Sequence, residues 1–123
     1  MILKDNLFSI TSCQKDEATL TYGVRLHPEW PIYLAHFPGH PITPGVCIVQ
    51  MVKELLQETE KRSLRLCRAK HIKYMAIISP EETTDLQVTF SAIVSQPDGT
   101  LDVQAQVGSG SVVYTKLSAT FGS

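Results

Sequence analysis

Apolar and polar residues alternate along four segments of this chain, the pattern of β-strands that bury one face. The period of two covers residues 18–26, 85–94, 101–107 and 113–121. A short strand over residues 7–12 precedes the first segment and completes a hairpin with it. Turn-forming residues at 97–99 and 108–110 separate the last three segments. The pattern therefore predicts a hairpin near the N-terminus and an antiparallel meander near the C-terminus.

Two further regions have a different pattern. Residues 64–78 contain another predicted strand, with a nearly continuous apolar run over residues 74–78. Residues 27–44 contain five prolines and no helical period, so we expect a long ordered loop there. Trp30, Tyr33 and Phe37 provide the large side chains that would pack this loop against the protein.

A single helix is predicted to begin near Pro44. Thr43 is the expected N-cap, and proline suits the first helical position because no backbone N–H is needed there. The first two turns are apolar almost all round, which indicates a buried helix, and residues 57–62 turn polar. Cys47 is expected in the core. One apolar helix and one large sheet must bury each other, so we expect an α+β protein with a single domain over residues 1–123.

Composition narrows the function classes. The chain has 123 residues, of which 43% are hydrophobic and 19% charged, as in ordinary globular proteins. A net charge of −1 argues against nucleic-acid binding by general attraction. No apolar run approaches the ~18 residues of a membrane span, and the first residues lack the pattern of a signal peptide. Three widely spaced cysteines favour reduced thiols and a cytoplasmic location.

The most distinctive segment is the ten residues from 36 to 45, with the sequence HFPGHPITPG. Three prolines and two glycines constrain its backbone, and His36 and His40 lie within that frame. The two histidines are four residues apart, but Pro38 and Gly39 exclude a helix between them and no acidic or cysteine side chain is near. We therefore expect no metal site, and we expect His40 to shape the loop by hydrogen bonding.

The segment from His36 to Val46 resembles the signature of the β-hydroxyacyl-acyl carrier protein dehydratases, hotdog-fold proteins of bacterial fatty acid synthesis and related pathways. The resemblance is strong over residues 34–50, and the order of elements is consistent with it over the rest of the chain. It implies a hotdog fold, in which an antiparallel β-sheet wraps around one long central helix.

The resemblance also implies a reaction. His36 would remove the α-proton of a 3-hydroxyacyl thioester, and the backbone N–H of Gly45 would bind the thioester carbonyl. Substrate contacts are implied at Phe37, Pro44 and Val46, with the site at a dimer interface and no cofactor. A neutral imidazole with a pKa near ~6.5 suits a base at physiological pH. The partial positive charge of about half a unit at a helix N-terminus suits a developing enolate.

The carboxylate that completes the family's site is absent from its usual position, 14 residues after the histidine. Gln50 stands there, and glutamine donates hydrogen bonds but has no proton to release at neutral pH. Glu54 lies one turn further on the same helix face. We consider two hypotheses: Glu54 supplies the proton, directly or through a water, or Glu54 faces solvent near the polar end of the helix.

One local charge bias stands out in a nearly neutral chain. Six of the 11 basic side chains lie between residues 61 and 73, and no acidic residue lies between 61 and 80. Arg62, Arg65, Arg68 and Lys70 are the expected docking residues for an acidic acyl carrier protein and the phosphate of its pantetheine arm. Coenzyme A phosphates would fit equally well. The alternative is that these are dipole-favoured charges at a helix end followed by solvent-facing strand residues.

The expected function is dehydration of 3-hydroxyacyl-acyl carrier protein to the trans-2-enoyl thioester by a homodimer. A second hypothesis is a weakly active subunit that binds acyl chains or completes a heterodimer with a partner that carries the carboxylate; higher oligomers are a further option. A third is an acyl thioesterase, for which Glu54 would be the local carboxylate.

Overall fold

The computed structural model describes residues 2–35 and 41–123, so His36, Phe37 and His40 lie outside the described residues. The described chain forms six strands and two helices. In chain order they are β1 (Phe8–Lys15), β2 (Leu20–Leu26), α1 (Pro31–Ala35), α2 (Gly45–Glu60), β3 (Arg65–Tyr74), β4 (Asp85–Ser95), β5 (Leu101–Ser109) and β6 (Val112–Gly122).

The strands form one antiparallel sheet in the order β1-β2-β4-β5-β6-β3. The predicted N-terminal hairpin is β1 with β2, and the predicted meander is β4, β5 and β6. Strand β3 follows the helix in sequence but pairs with β6, so it lies at the edge of the sheet. This arrangement is the α+β hotdog fold that was expected.

Helix α2 packs against one face of the sheet and fills the core. Its buried apolar side chains are Cys47, Ile48, Met51, Val52, Leu55 and Leu56. Every second residue of β5 is buried beneath it, from Leu101 to Val107. Each fully buried aliphatic side chain of this size contributes roughly 1.5–3 kcal/mol. The predictions of a buried helix and of Cys47 in the core are confirmed, and burial raises the pKa of the Cys47 thiol.

The inward face of β4 changes along the strand. Leu86, Val88 and Phe90 are buried, as the alternation predicted. The pairing with β5 shifts between Phe90 and Ala92, and an irregularity of this kind moves the period by one residue. Val94 is consequently 51% exposed, so the predicted inward face ends earlier than the sequence suggested.

The proline-rich segment before α2 is not wholly irregular, because it contains the short helix α1. Trp30 and Tyr33 pack on the core as predicted, and Tyr33 is fully buried. Burial raises the pKa of Tyr33 to about 12. The Tyr33 hydroxyl shares a 2.9 Å hydrogen bond with the hydroxyl of Thr43. The predicted N-cap role of Thr43 is therefore wrong: Pro44 occupies the cap position without a side-chain cap bond, and α2 begins at Gly45.

Strand β3 ends earlier than the apolar run predicted. The chain leaves the sheet after Tyr74, where the backbone N–H groups of Met75 and Ala76 both donate to the carbonyl of Tyr114. The carbonyl of Ile78 then accepts a 2.9 Å hydrogen bond from the N–H of Thr43. The segment after β3 is thus tied to the residues that lead into α2. None of the described helices is long and apolar enough to cross a membrane.

Candidate active site at the start of helix α2

The first turn of α2 offers backbone donors. The Pro44 carbonyl accepts hydrogen bonds from the N–H groups of Cys47 (3.0 Å) and Ile48 (3.2 Å), which closes the first turn. The N–H groups of Gly45 and Val46 precede these and cannot find an acceptor within the helix. Together with the positive end of the helix dipole, they form a place where a negatively charged oxygen is stabilised.

Tyr74 lies directly against this turn. Its hydroxyl donates a 3.2 Å hydrogen bond to the carbonyl oxygen of Gly45. A Cβ atom at position 45 would lie only 2.8 Å from Cζ of the Tyr74 ring, so glycine permits the close approach of the ring in its present position. Burial raises the pKa of Tyr74, so its hydroxyl keeps the proton that it donates at neutral pH. Sequence reasoning selected Gly45 but missed Tyr74, because their contact spans 29 residues.

Gln50 and Glu54 touch each other, as their positions on one helix face predicted. The Nε2 group of Gln50 donates a 2.8 Å hydrogen bond to Oε2 of Glu54. Gln50 is half-buried. The Gln50 side chain is therefore held, at one end, by the carboxylate one turn further along the helix.

Glu54 is buried rather than solvent-facing, with 8% of its surface exposed, so the solvent-facing hypothesis is wrong. Its Oε1 atom accepts hydrogen bonds from the backbone N–H groups of Leu3 (3.0 Å) and Lys4 (2.7 Å). Its Oε2 atom accepts from Leu3 (2.9 Å) and from Gln50. These contacts tie the N-terminal segment to the helix. The role of Glu54 as proton donor stays a prediction, and in the four hydrogen bonds just described the carboxylate is the acceptor.

Two grooves meet at Gln50. An open, largely apolar groove of about 340 Å³ lies between α2 and β3, with Val46, Val49, Leu66 and Ile72 among its lining residues. A more polar groove of about 580 Å³ lies on the other side, against the N-terminal segment and Glu54. Gln50 lines both. A substrate with an apolar chain and a polar head would meet both kinds of surface around this side chain.

The predicted docking residues separate into two groups along β3. The Arg62 guanidinium donates to the carbonyl of Gly99 (2.8 Å) and to the hydroxyl of Ser123 (3.1 Å), and Arg65 donates to the Ser123 carbonyl (3.2 Å). Arg68 and Lys70 instead line a groove of about 390 Å³ on the sheet face opposite α2. Arg65 and Lys70 lie five residues apart in β3, which corresponds to about 16 Å of extended strand.

Two residues of the expected site, His36 and Phe37, are not among the described residues. In residues 2–35 and 41–123, no three His, Cys, Asp or Glu side chains come together in a way that would hold a metal ion.

Comparison with known proteins supports the resemblance. The family described as ApeI dehydratase (ApeI-like) matches residues 12–111. The curated 3-hydroxyacyl-(acyl-carrier-protein) dehydratase FabZ of Lactiplantibacillus plantarum is 30% identical over 97 residues, covering 73% of this chain and 65% of that protein. FabZ of Wolbachia pipientis is 31% identical over 70 residues, covering 51% and 49%. The chain thus spans about half to two thirds of the length of these relatives.

Solved structures agree on the fold. The dehydratase heterocomplex ApeI:P from Xenorhabdus doucetiae has a TM-score of 0.70 at 13% identity, covering 93% of this chain and 96% of that one. A putative thioesterase from Lactococcus lactis has a TM-score of 0.62 at 7% identity, covering 99% and 96%. At identities this low, the structural similarity establishes a shared fold. The chemistry has to be argued from the residues of the site.

Proposed function

The chain belongs to the ApeI-like dehydratase family, and on that premise we propose that it removes water from 3-hydroxyacyl thioesters of acyl carrier protein, giving trans-2-enoyl thioesters. The observation that carries this proposal is the start of α2. Two backbone N–H groups lie there beside an apolar groove, and Gln50 stands between that groove and a polar one.

The first step removes the α-proton and forms an enolate. We assign the base to His36, which lies nine residues before Gly45 in the motif shared with the dehydratases. The thioester oxygen gains negative charge as the proton leaves. The N–H groups at the helix start stabilise that charge more than they stabilise the neutral thioester, and this difference lowers the barrier.

The second step expels the 3-hydroxyl group as water, which requires one proton. In this proposal the Gln50 amide donates a hydrogen bond to the hydroxyl and orients it. His36 holds the proton that it removed from the α-carbon. It can donate that proton to the departing hydroxyl, so no second acid is required. Donation by Glu54 would instead require its carboxylate to be protonated while it accepts bonds from Leu3, Lys4 and Gln50. A Glu54→Gln variant separates these routes, because general acid catalysis contributes about 10²–10⁴ in rate.

A second candidate function follows from the same two side chains. A glutamine at the carboxylate position and a neighbouring carboxylate occupied by N–H donors favour a subunit that needs a partner carrying the acid. The similar ApeI:P protein of Xenorhabdus doucetiae is a dehydratase heterocomplex. In this alternative the chain would be inactive or weakly active alone and active with that partner.

We further propose that the chain pairs with a second copy through β3. This ten-residue strand lies at the sheet edge, where unpaired backbone groups invite another strand. Most of its side chains are exposed, including Leu66 (39%) and Tyr74 (52%), and exposed Val46 continues the apolar surface onto α2. A dimer through this surface would cover the groove beside Gln50.

The basic residues of β3 are proposed to bind the acidic carrier protein. Arg68 and Lys70 are exposed and border the same groove, which makes them the better candidates. Arg62 and Arg65 hold the C-terminal residues through hydrogen bonds and contribute charge at the far end of the strand. Free coenzyme A would compete for the same side chains if its phosphates are the true ligand.

One experiment tests the proposed function. Purified protein is given a 3-hydroxyacyl carrier thioester, and then the matching enoyl thioester, with products identified by mass spectrometry. Water elimination and addition by the protein alone support the dehydratase. Activity only after a carboxylate-bearing partner is added supports the second candidate. Release of free thiol would contradict both and point to a thioesterase.

A further inference from the structure

Tyr74 is a side chain of the candidate site for which the shared motif provides no role. It is the last residue of β3, and it pairs with Thr115 on β6. The two following N–H groups are both bonded to the Tyr114 carbonyl, which fixes the backbone at this point. The phenol is thus presented from a rigid strand end to the first turn of α2.

The contact with Gly45 is both steric and polar. The ring lies so close to the Gly45 Cα atom that an added Cβ would be 2.8 Å from Cζ and 2.9 Å from the hydroxyl oxygen. The backbone of Gly45 does not have a positive φ angle, so its conformation alone does not demand glycine. The close contact therefore comes from the ring, which packs directly against the helix start.

The hydrogen bond has an electronic consequence. The Gly45 carbonyl, which accepts the Tyr74 proton at 3.2 Å, belongs to the same peptide unit as the N–H of Val46. A donor at the carbonyl polarises the peptide and strengthens its N–H as a donor. Val46 N–H is one of the groups at the helix start that have no acceptor inside the helix.

We propose that Tyr74 is a positioning residue of the candidate site, which holds the Gly45–Val46 peptide in place and strengthens its N–H as a donor to the thioester oxygen. This proposal rests on the proposed dehydration, because it assigns the oxygen to that helix start. Tyr74 acts through the peptide and need not touch the substrate.

The test compares Tyr74→Phe with Tyr114→Phe. Both variants remove a phenol hydroxyl in a 3.2 Å hydrogen bond, but Tyr114 bonds to Thr83 and not to Gly45. We expect Tyr74→Phe to lower kcat about three- to tenfold with KM within twofold, and Tyr114→Phe to leave both within twofold. A purely structural role would change the folded fraction and would not separate kcat from KM in this way.

A second readout does not depend on activity. The amide proton of Val46 is followed by nuclear magnetic resonance in the unliganded protein. It should move upfield in Tyr74→Phe and stay in place in Tyr114→Phe, since only the former loses the bond to the Gly45 carbonyl. An unchanged Val46 resonance, or an unchanged kcat in an active protein, overturns the proposal. If the Val46 resonance shifts in Tyr74→Phe but the wild-type protein dehydrates nothing, alone or with a partner, the proposed function is overturned instead, and the catalytic role of Tyr74 falls with it.

A steric variant completes the test. Gly45→Ala should clash with the Tyr74 ring, and Tyr74→Ala should relieve that clash. We therefore expect the double variant to be at least as active as Gly45→Ala alone. Additive losses in the double variant would show that the ring does not define the helix start.

Discussion

The carboxylate of Glu54 is expected to hold the N-terminal segment to the protein. It is 8% exposed and accepts hydrogen bonds from three N–H donors, two of them on residues about fifty positions earlier in the chain. The perturbation that tests this is Glu54→Gln, with Glu58→Gln as the matched control. Glu58 lies one turn further along α2, where it forms an ion pair of 3.3 Å with half-exposed Lys4.

The magnitude follows from the contacts. Glutamine has one oxygen acceptor in place of two, and its NH₂ group would face a donor at the other position. A hydrogen bond to a charged group contributes about 1.5–3 kcal/mol, and a buried donor left without an acceptor costs about 1–3 kcal/mol. We expect Glu54→Gln to lower the free energy of unfolding by about 2–4 kcal/mol. The exposed ion pair lost in Glu58→Gln contributes about 0–1 kcal/mol.

Urea unfolding followed by circular dichroism measures both values, and hydrogen exchange at Leu3 and Lys4 locates the change. In Glu54→Gln, exchange at these two amides should accelerate well beyond the change at the β5 amides. Equal stability of the two variants would refute the anchoring role. A loss of kcat by 10² or more in a Glu54→Gln protein that remains folded would instead support Glu54 as the proton donor.

Three further predictions concern separate parts of the molecule. Arg68→Glu combined with Lys70→Glu should weaken carrier-protein binding at least tenfold at low salt, measured by calorimetry, whereas Lys15→Glu on β1 should leave it unchanged; equal effects would argue against docking at Arg68 and Lys70. Leu66→Asp should convert a dimer to monomers in light scattering, and Val94→Asp, equally polar on an exposed site of β4, should not. Because burial raises the pKa of Tyr33 to about 12, the neutral phenol is favoured in the folded state, so stability is intact below pH ~10 and falls by up to about 3 kcal/mol as the pH rises to ~12. That decrease should be smaller by the same amount in Tyr33→Phe.

The sheet and the central helix follow from local patterns, which is why they could be predicted. A strand that buries one face repeats every two residues, and the buried helix has an apolar start. Two predictions, the inward face of β4 and the N-cap of α2, failed because an interaction outside the local pattern changed the outcome. The register shift in β4 exposed Val94, and the bond to Tyr33 took the hydroxyl of Thr43 away from the helix cap.

Sequence analysis predicted only the part of the candidate site that lies within one continuous segment. Gly45, Val46 and Gln50 lie close together in sequence, and the shared motif located them. The partners that determine their chemistry come from elsewhere: Tyr74 from the end of β3, and the Leu3 and Lys4 N–H groups from the N-terminal segment. No periodicity links such distant residues, so only the folded chain reveals that Glu54 has donors around it.

The most direct test of the account is the rate at which the purified protein forms an enoyl thioester from a 3-hydroxyacyl carrier thioester. Wild type is compared with His36→Ala, and with His71→Ala as a control at an exposed histidine of β3. We expect enoyl product from wild type and from His71→Ala, alone or with a carboxylate-bearing partner, and a loss of at least 10² in rate in His36→Ala. Enoyl formation that is unaffected by His36→Ala, or free thiol as the sole product, would contradict it.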